Sequence, residues 1–169
     1  MTTFSLRNVK LRSGEQFRDT VSVQLEPLVL GGQEYAPVPA EVPAELTITK
    51  ATTGSVYQLS FRAELYGPCF RCLRDTVVAE SVSGREYQAT NPNGDEELET
   101  PYLVDNTLDL SAWARDALAL GLPDKILHSP DCAGLCPVCG KDLNDEPHAH
   151  EELARDPRWA ALEELRGDL

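Results

Sequence analysis

The sequence predicts an α+β fold: an antiparallel β-sheet or barrel-like core with one packed helix, then a cysteine- and histidine-rich segment and a short C-terminal helix. Three observations predict it. Two runs of alternating apolar and polar residues face each other across a glycine-containing turn. One stretch carries apolar residues at helical spacing. All three histidines and three of the five cysteines crowd into residues 128–150.

Residues 1–19 are locally basic, with Arg7, Lys10, Arg12 and Arg18 set against Glu15 and Asp19, and read as a solvated strand face. Val21-Ser-Val-Gln-Leu25 alternates as a strand does. Gly31-Gly32, Pro37, Pro39 and Pro43 then interrupt regular structure. Glu45–Lys50 and Val56–Tyr66 alternate on either side of Ala51-Thr-Thr-Gly54, which makes an antiparallel hairpin with Leu59, Phe61, Ala63 and Leu65 on one face. Thr76–Tyr87 is a further strand, so Cys69-Phe-Arg-Cys72 falls at a tight connection between two strands. Residues 90–101 form an acidic loop punctuated by Pro and Gly, with the composition of a mobile segment. Asp109–Leu120 is helical, capped by Asp109 or Ser111 and ended by Gly121 and Pro123. Leu110, Trp113, Ala117 and Leu120 form its packing face. Asp156 and Pro157 open a second helix running to Leu165.

A chain of 169 residues with 41% hydrophobic and 7% aromatic content suits one domain with a modest, aliphatic core. A net charge of −13 excludes a general nucleic-acid or anionic-membrane surface. It favours a basic partner, or an RNA contact confined to a local basic patch. Met1–Lys10 has no apolar run like that of a signal peptide, and no segment approaches the roughly 18 apolar residues of a membrane helix. The expected location is therefore cytoplasmic. In that reducing compartment five cysteines, mostly in Cys-x-x-Cys pairs, read as metal ligands before disulfides.

A Cys-x-x-Cys pair clamps one edge of a metal tetrahedron, and two more ligands close it. Five cysteines and three histidines give eight ligands, enough for two zinc sites. Cys136, Cys139, His148 and His150 form a local quartet with low loop-closure cost. Cys69, Cys72, His128 and Cys132 then form the other, with His128 and Cys132 one helical turn apart. The alternative is one zinc held by Cys69, Cys72, Cys136 and Cys139, as in a zinc ribbon. No His-Glu-x-x-His, phosphate-binding loop, Gly-x-Ser-x-Gly or Gly-x-Gly-x-x-Gly is present. Asp142, Asp145 and Glu146 flank the local quartet and read as a solvated loop, or as a source of a general base if its zinc were catalytic.

Cys69-Phe-Arg-Cys72, a helix ending in Leu122-Pro123, and His128…Cys132-Ala-Gly-Leu-Cys136-Pro-Val-Cys139-Gly-Lys-Asp-Leu-Asn144 occur in an order that resembles the YceD family of large ribosomal RNA subunit accumulation proteins. The resemblance runs from Cys69 to the C-terminus. It implies a small cytosolic protein needed for accumulation of large-subunit (23S) ribosomal RNA. Members of the family often carry cysteine at the position of His128 and Cys-x-Cys where this chain has His148-Ala-His150, exchanges that keep coordination possible.

The expected layout is a β-rich core over residues 1–127, with its helix at about 109–121. A zinc-binding loop and C-terminal helix over 128–169 dock on this core as part of one domain. The expected function is non-enzymatic. It is that of a zinc-binding ribosome-biogenesis factor that binds precursor ribosomal RNA or a basic ribosomal protein, without membrane or small-molecule substrate. Arg62, Arg71 and Arg74 around the first knuckle, together with the basic N-terminus, would supply an RNA-binding patch. The alternatives are a zinc-dependent hydrolase or nuclease acting on RNA, and a redox or metal-sensing protein.

Overall fold

A computed structural model describes residues 1–150. The expected helix opening at Asp156 lies outside the described residues. Nine strands and one α-helix follow the order β1 (Thr3–Ser5), β2 (Gln16–Gln24), β3 (Leu28–Leu30), β4 (Gln33–Pro37), β5 (Glu41–Lys50), β6 (Gly54–Pro68), β7 (Asp75–Ala89), β8 (Leu103–Val104), β9 (Thr107–Asp109) and α1 (Leu110–Gly121). All strand pairings are antiparallel. The main sheet has six strands in the order β2-β5-β6-β4-β3, with β7 on the other edge of β6, and β1-β9-β8 form a small second sheet. Among the described residues no pairing closes this path, so the core is an open sheet and not a barrel.

Strand β6 is the spine. Its alternation puts Tyr57, Leu59, Phe61, Ala63 and Leu65 inward, each 7% exposed or less. It pairs with β5 from Ala44↔Phe61 to Lys50↔Ser55 and with β7 along its whole length, from Gly54↔Ala89 to Pro68↔Asp75. The hairpin expected at Ala51–Gly54 is present, closed by the Ala51 N–H donating to the Gly54 carbonyl. Pro43, expected to break regular structure, instead lies inside β5 opposite Ser22 of β2. Pairing with β6 begins only at Ala44, so the missing proline N–H falls where β5 has a neighbour on one side.

Helix α1 packs on β7 and on the inner face of the sheet. Asp109 caps it by accepting the Ala112 N–H at 3.0 Å. Ser111 is not the cap. Its hydroxyl accepts the Thr2 N–H and donates to the Gln24 carbonyl, tying the N-terminus to the helix. The buried face is Leu110, Trp113, Ala114 and Leu118, whereas Leu120 is 89% exposed. At 3.6 residues per turn Leu120 falls only about 20° from Trp113, at the edge of the buried arc, and it stays uncovered in the last turn of the helix. Gly84 in β7 lets the helix approach: a Cβ there would lie 2.8 Å from Trp113 Nε1. The acidic loop holds a 3-10 turn, Glu96–Leu98, capped by Asp95, and Gln88 anchors its far end by accepting the Thr100 N–H. No helix among the described residues is long and apolar enough to cross a membrane.

Candidate metal centres

After Pro68 the chain leaves β6, turns through Cys69-Phe-Arg-Cys72-Leu73 and re-enters the sheet at Asp75. Cys69 N–H donates to the Arg74 carbonyl at 2.7 Å and Leu73 N–H to the Cys69 carbonyl at 3.0 Å. Leu73 adopts a left-handed φ of 62°. Residues 136–141 repeat this turn. Cys136 N–H donates to the Lys141 carbonyl at 2.8 Å, Gly140 N–H donates to the Cys136 carbonyl at 2.8 Å, and Gly140 has φ 74°. Each knuckle is the same reversal, which aims two sulfurs to one side and requires a left-handed residue after the second cysteine.

The expected first quartet comes together. The ligand atoms of Cys69, Cys72, His128 and Cys132 all lie within 4.8 Å of one another. Cys69 Sγ is 3.8 Å from Cys132 Sγ, and Cys72 Sγ is 3.2 Å from His128 Nδ1. Two sulfurs bound to one zinc at about 2.3 Å in tetrahedral geometry stand roughly 3.8 Å apart. The three cysteines are at most 5% exposed and form their own small buried cluster with Leu127 and Leu135, apart from the main core. His128 and Cys132 do not sit on a helix as their spacing suggested. Pro130 lies between them, and the segment is a turn closed by the Cys132 N–H donating to the Ser129 carbonyl at 3.1 Å.

The second quartet, Cys136, Cys139, His148 and His150, also has all its ligand atoms within 4.8 Å of one another. Cys139 Sγ is 3.2 Å from His148 Nε2. His148 Nδ1 donates to the Glu146 carbonyl at 2.7 Å, which fixes the tautomer and turns the Nε2 lone pair toward the sulfurs. Cys139 and His150 are exposed, so this cluster lies at the surface while the first is enclosed. The four cysteines of the ribbon alternative are therefore divided between two clusters.

The electrostatics suit a cation in each cluster. Burial by itself raises the Cys69 thiol, but hydrogen bonds from the Cys72 backbone and from His128 outweigh it and hold Cys69 well below the ordinary thiol range. Cys72, buried beside the Cys69 thiolate, is pushed up. At the second cluster the backbone N–H of Cys139, with that of Val138, holds Cys136 down to about 6. Neighbouring thiolates repel one another, and a divalent cation among them lets all of them ionise. Three thiolates with one imidazole, and two with two, are donor sets that hold four-coordinate metal.

Sequence reasoning missed the residues that join the clusters. Arg74 pairs with Asp142 at 2.7 Å and with Asp145. Arg71 Nη1 donates to the Cys132 carbonyl at 2.8 Å, and Leu135 N–H donates to the Arg71 carbonyl. Asn144 Nδ2 points at Cys132 Sγ at 3.7 Å while its Oδ1 accepts the Ala133 N–H at 2.8 Å. Asp142 accepts the Asn144 backbone N–H and then its side-chain amide, and with Arg74 these hold its carboxyl below the usual range. Arg74, expected to contribute to an RNA patch, is thus spent on internal contacts, while Arg71 stays exposed with one guanidinium nitrogen on the Cys132 carbonyl. Asp145 and Glu146 are likewise paired, with Arg74 and Lys141. The one signal in the sequence was the interleaving of basic residues after the first knuckle with acidic residues after the second.

The fold and these clusters define an antiparallel β-sheet protein with one described helix and two Cys/His groups that could each hold a metal ion. The family model described as "Large ribosomal RNA subunit accumulation protein YceD" matches residues 57–166, and the chain belongs to that family. Similar proteins described as uncharacterized occur in Mycobacterium bovis and Mycobacterium tuberculosis. They are 36% identical over 129 residues, covering 73% of this chain and 61% of theirs. An uncharacterized protein of Mycobacterium leprae is 34% identical over 103 residues, covering 57% of this chain and 46% of that one. The chain thus aligns with about three-fifths of the length of the first relatives. No solved structure matches it.

Proposed function

We propose that this chain is a non-enzymatic, zinc-stapled factor that promotes accumulation of large-subunit ribosomal RNA in the cytoplasm, by binding precursor ribosomal RNA or a basic ribosomal protein. The carrying observation is that each cluster brings four protein ligands together. Zinc held by four side chains is structural, whereas catalytic zinc keeps a position open for water or substrate. Bound zinc would supply the cross-link between the β6–β7 connection and the segment after α1. The carboxylates nearest the second cluster, Asp142, Asp145 and Glu146, are engaged by Arg74 and Lys141, which speaks against a hydrolase that needs an unpaired base. The family name supports the ribosomal RNA role.

Three measurements test this reading. Elemental analysis of the purified chain is expected to give about two zinc ions per molecule, falling to about one in the Cys136→Ser, Cys139→Ser variant. Deletion of the gene is expected to lower the ratio of large- to small-subunit ribosomal RNA, with rescue by the wild-type chain. An unchanged ratio on deletion would sink the ribosomal role, and zinc-dependent turnover of RNA by the purified chain would overturn the non-enzymatic reading.

A further inference from the structure

The basic N-terminal stretch is not a plain solvated strand face. Between β1 and β2 the chain forms an arch whose Leu6, Val9 and Leu11 pack against the core. One end is tied by the Leu6 N–H donating to the Asn106 carbonyl at 2.8 Å. The other end is tied by Gly14 N–H donating to the Lys50 carbonyl at 2.7 Å and Lys50 N–H donating to the Glu15 carbonyl at 3.0 Å. Under the arch lies a hollow of about 910 Å³. Its rim carries Lys10, Arg12 and Lys50, and Val9 and Leu11 bring apolar wall down toward the buried ring of Tyr57.

The charge of this hollow runs against the composition. The chain has 28 acidic and 15 basic residues, yet the lining has three cations and a single carboxylate, Glu15. That carboxylate already accepts the Arg12 backbone N–H at 2.7 Å. Lys50 is half-buried, and among the described residues its ammonium reaches only the neutral hydroxyls of Ser55 and Thr90, each at 3.4 Å. None of the three cations takes part in an ion pair among the described residues, whereas Arg18, Arg74, Arg115 and Lys141 all do. A partly buried ammonium without a counter-charge favours any anion that can reach it. The volume is that of a site for a small organic ligand, roughly 300–1,000 Å³. A basic rim above an apolar wall suits a phosphate joined to a flat or sugar-like body.

We propose that this hollow binds a nucleotide phosphate, presented by single-stranded RNA or by a free nucleotide. The phosphate sits among Lys10, Arg12 and Lys50, and the nucleoside lies against Val9 and Leu11. The RNA source deepens the ribosomal reading above and rests on it. It confines the RNA contact to the N-terminal part of the expected patch, at the β5–β6 turn and the other end of β6 from the first knuckle, where Arg74 is engaged internally.

The test uses the full zinc-loaded chain, titrated with decauridylate RNA and separately with uridine monophosphate, followed by amide chemical shifts and fluorescence anisotropy. Shifts are expected at residues 6–15 and 48–57. With three phosphate-directed cations, raising salt fourfold weakens RNA binding about 20-fold. Lys10→Gln with Lys50→Gln is expected to lower affinity at least about tenfold with zinc content and circular dichroism unchanged. Arg12→Gln, on the exposed rim, serves as a second variant that leaves the sheet contacts of Lys50 in place. RNA binding far tighter than the mononucleotide supports the strand as source, and equal affinities support a free nucleotide. Absence of shifts in the hollow with both ligands, or binding unaltered in both variants, overturns the proposal. If the variants bind like wild type while gene deletion still lowers large-subunit RNA, the hollow falls and the ribosomal reading stands. If the variants lose binding while deletion leaves the RNA ratio unchanged, the hollow stands and the ribosomal reading falls.

Discussion

The residue after the second cysteine of each knuckle must turn left-handed, and the chain meets that demand in two ways. Gly140 does so without a Cβ, while Leu73 takes φ 62° with a full side chain that is 53% exposed. A left-handed conformation costs a residue with a Cβ roughly 1–2 kcal/mol, and glycine's greater loss of freedom on folding costs roughly 0.5–1 kcal/mol. Gly140→Ala should therefore weaken metal binding at the second cluster by about two- to fivefold, since nothing lies within 4 Å of the added Cβ and the regained chain entropy offsets only part of the strain. The converse exchange, Leu73→Gly, should leave the first cluster within about threefold of wild type, because relief of strain and added chain entropy nearly cancel. Competition against a chromogenic chelator measures both. A Gly140→Ala chain that binds as tightly as wild type would show that the knuckle does not enforce the observed turn.

At the scale of elements, the sequence made the hairpin, the helix and the two knuckles legible because each is a local pattern. Period-two alternation locates β5 and β6, and a capping aspartate starts α1. What it did not reveal depends on contacts between distant segments. Leu120 fits a helical stripe on paper, but at the edge of that stripe and in the last turn it stays uncovered. Pro43 reads as a breaker until its one-sided pairing is seen. The partition of eight ligands followed from arithmetic, but the joint between the clusters did not, because Arg74 and Asp142 are sixty-eight positions apart in number and adjacent only in space. Arg74 clamps the segment after the second knuckle to the start of β7, and an ion pair at the surface is worth little unless it forms a network, as here with two carboxylates. Arg74→Ala is expected to speed amide exchange over residues 134–146 severalfold without releasing metal from the first cluster. Arg74→Lys should fall between, since an ammonium keeps the charge but not the two-way fork. Hydrogen-exchange mass spectrometry separates the three chains. Identical exchange in all of them would mean that Asn144 and Arg71 hold the joint without Arg74.

The described residues form two buried assemblies, and they answer to different forces. The larger is the aliphatic core, in which β2, β5, β6 and α1 enclose Val23, Leu46, Leu59, Leu65, Leu110 and Trp113, each 2% exposed or less. The smaller is the cysteine cluster, whose apolar company is only Leu127 and Leu135. A core built from apolar burial at about 25 cal/mol per Å² does not need a metal to persist. The cysteine cluster has no such reserve, and structural zinc in small peptides contributes on the order of 10 kcal/mol of folding free energy. The two assemblies touch where Phe70 N–H donates to the Ile126 carbonyl, since Ile126 belongs to the large core. Chelation should therefore unfold the joint and spare the sheet. With a strong chelator, amide protection is expected to vanish at residues 69–74 and 127–146 and to survive at 42–48 and 57–65, with little change in far-ultraviolet circular dichroism. Cooperative loss of protection in β5 and β6 on chelation would show that the sheet depends on the staple, and that the eight ligands hold up the whole chain and not only its end.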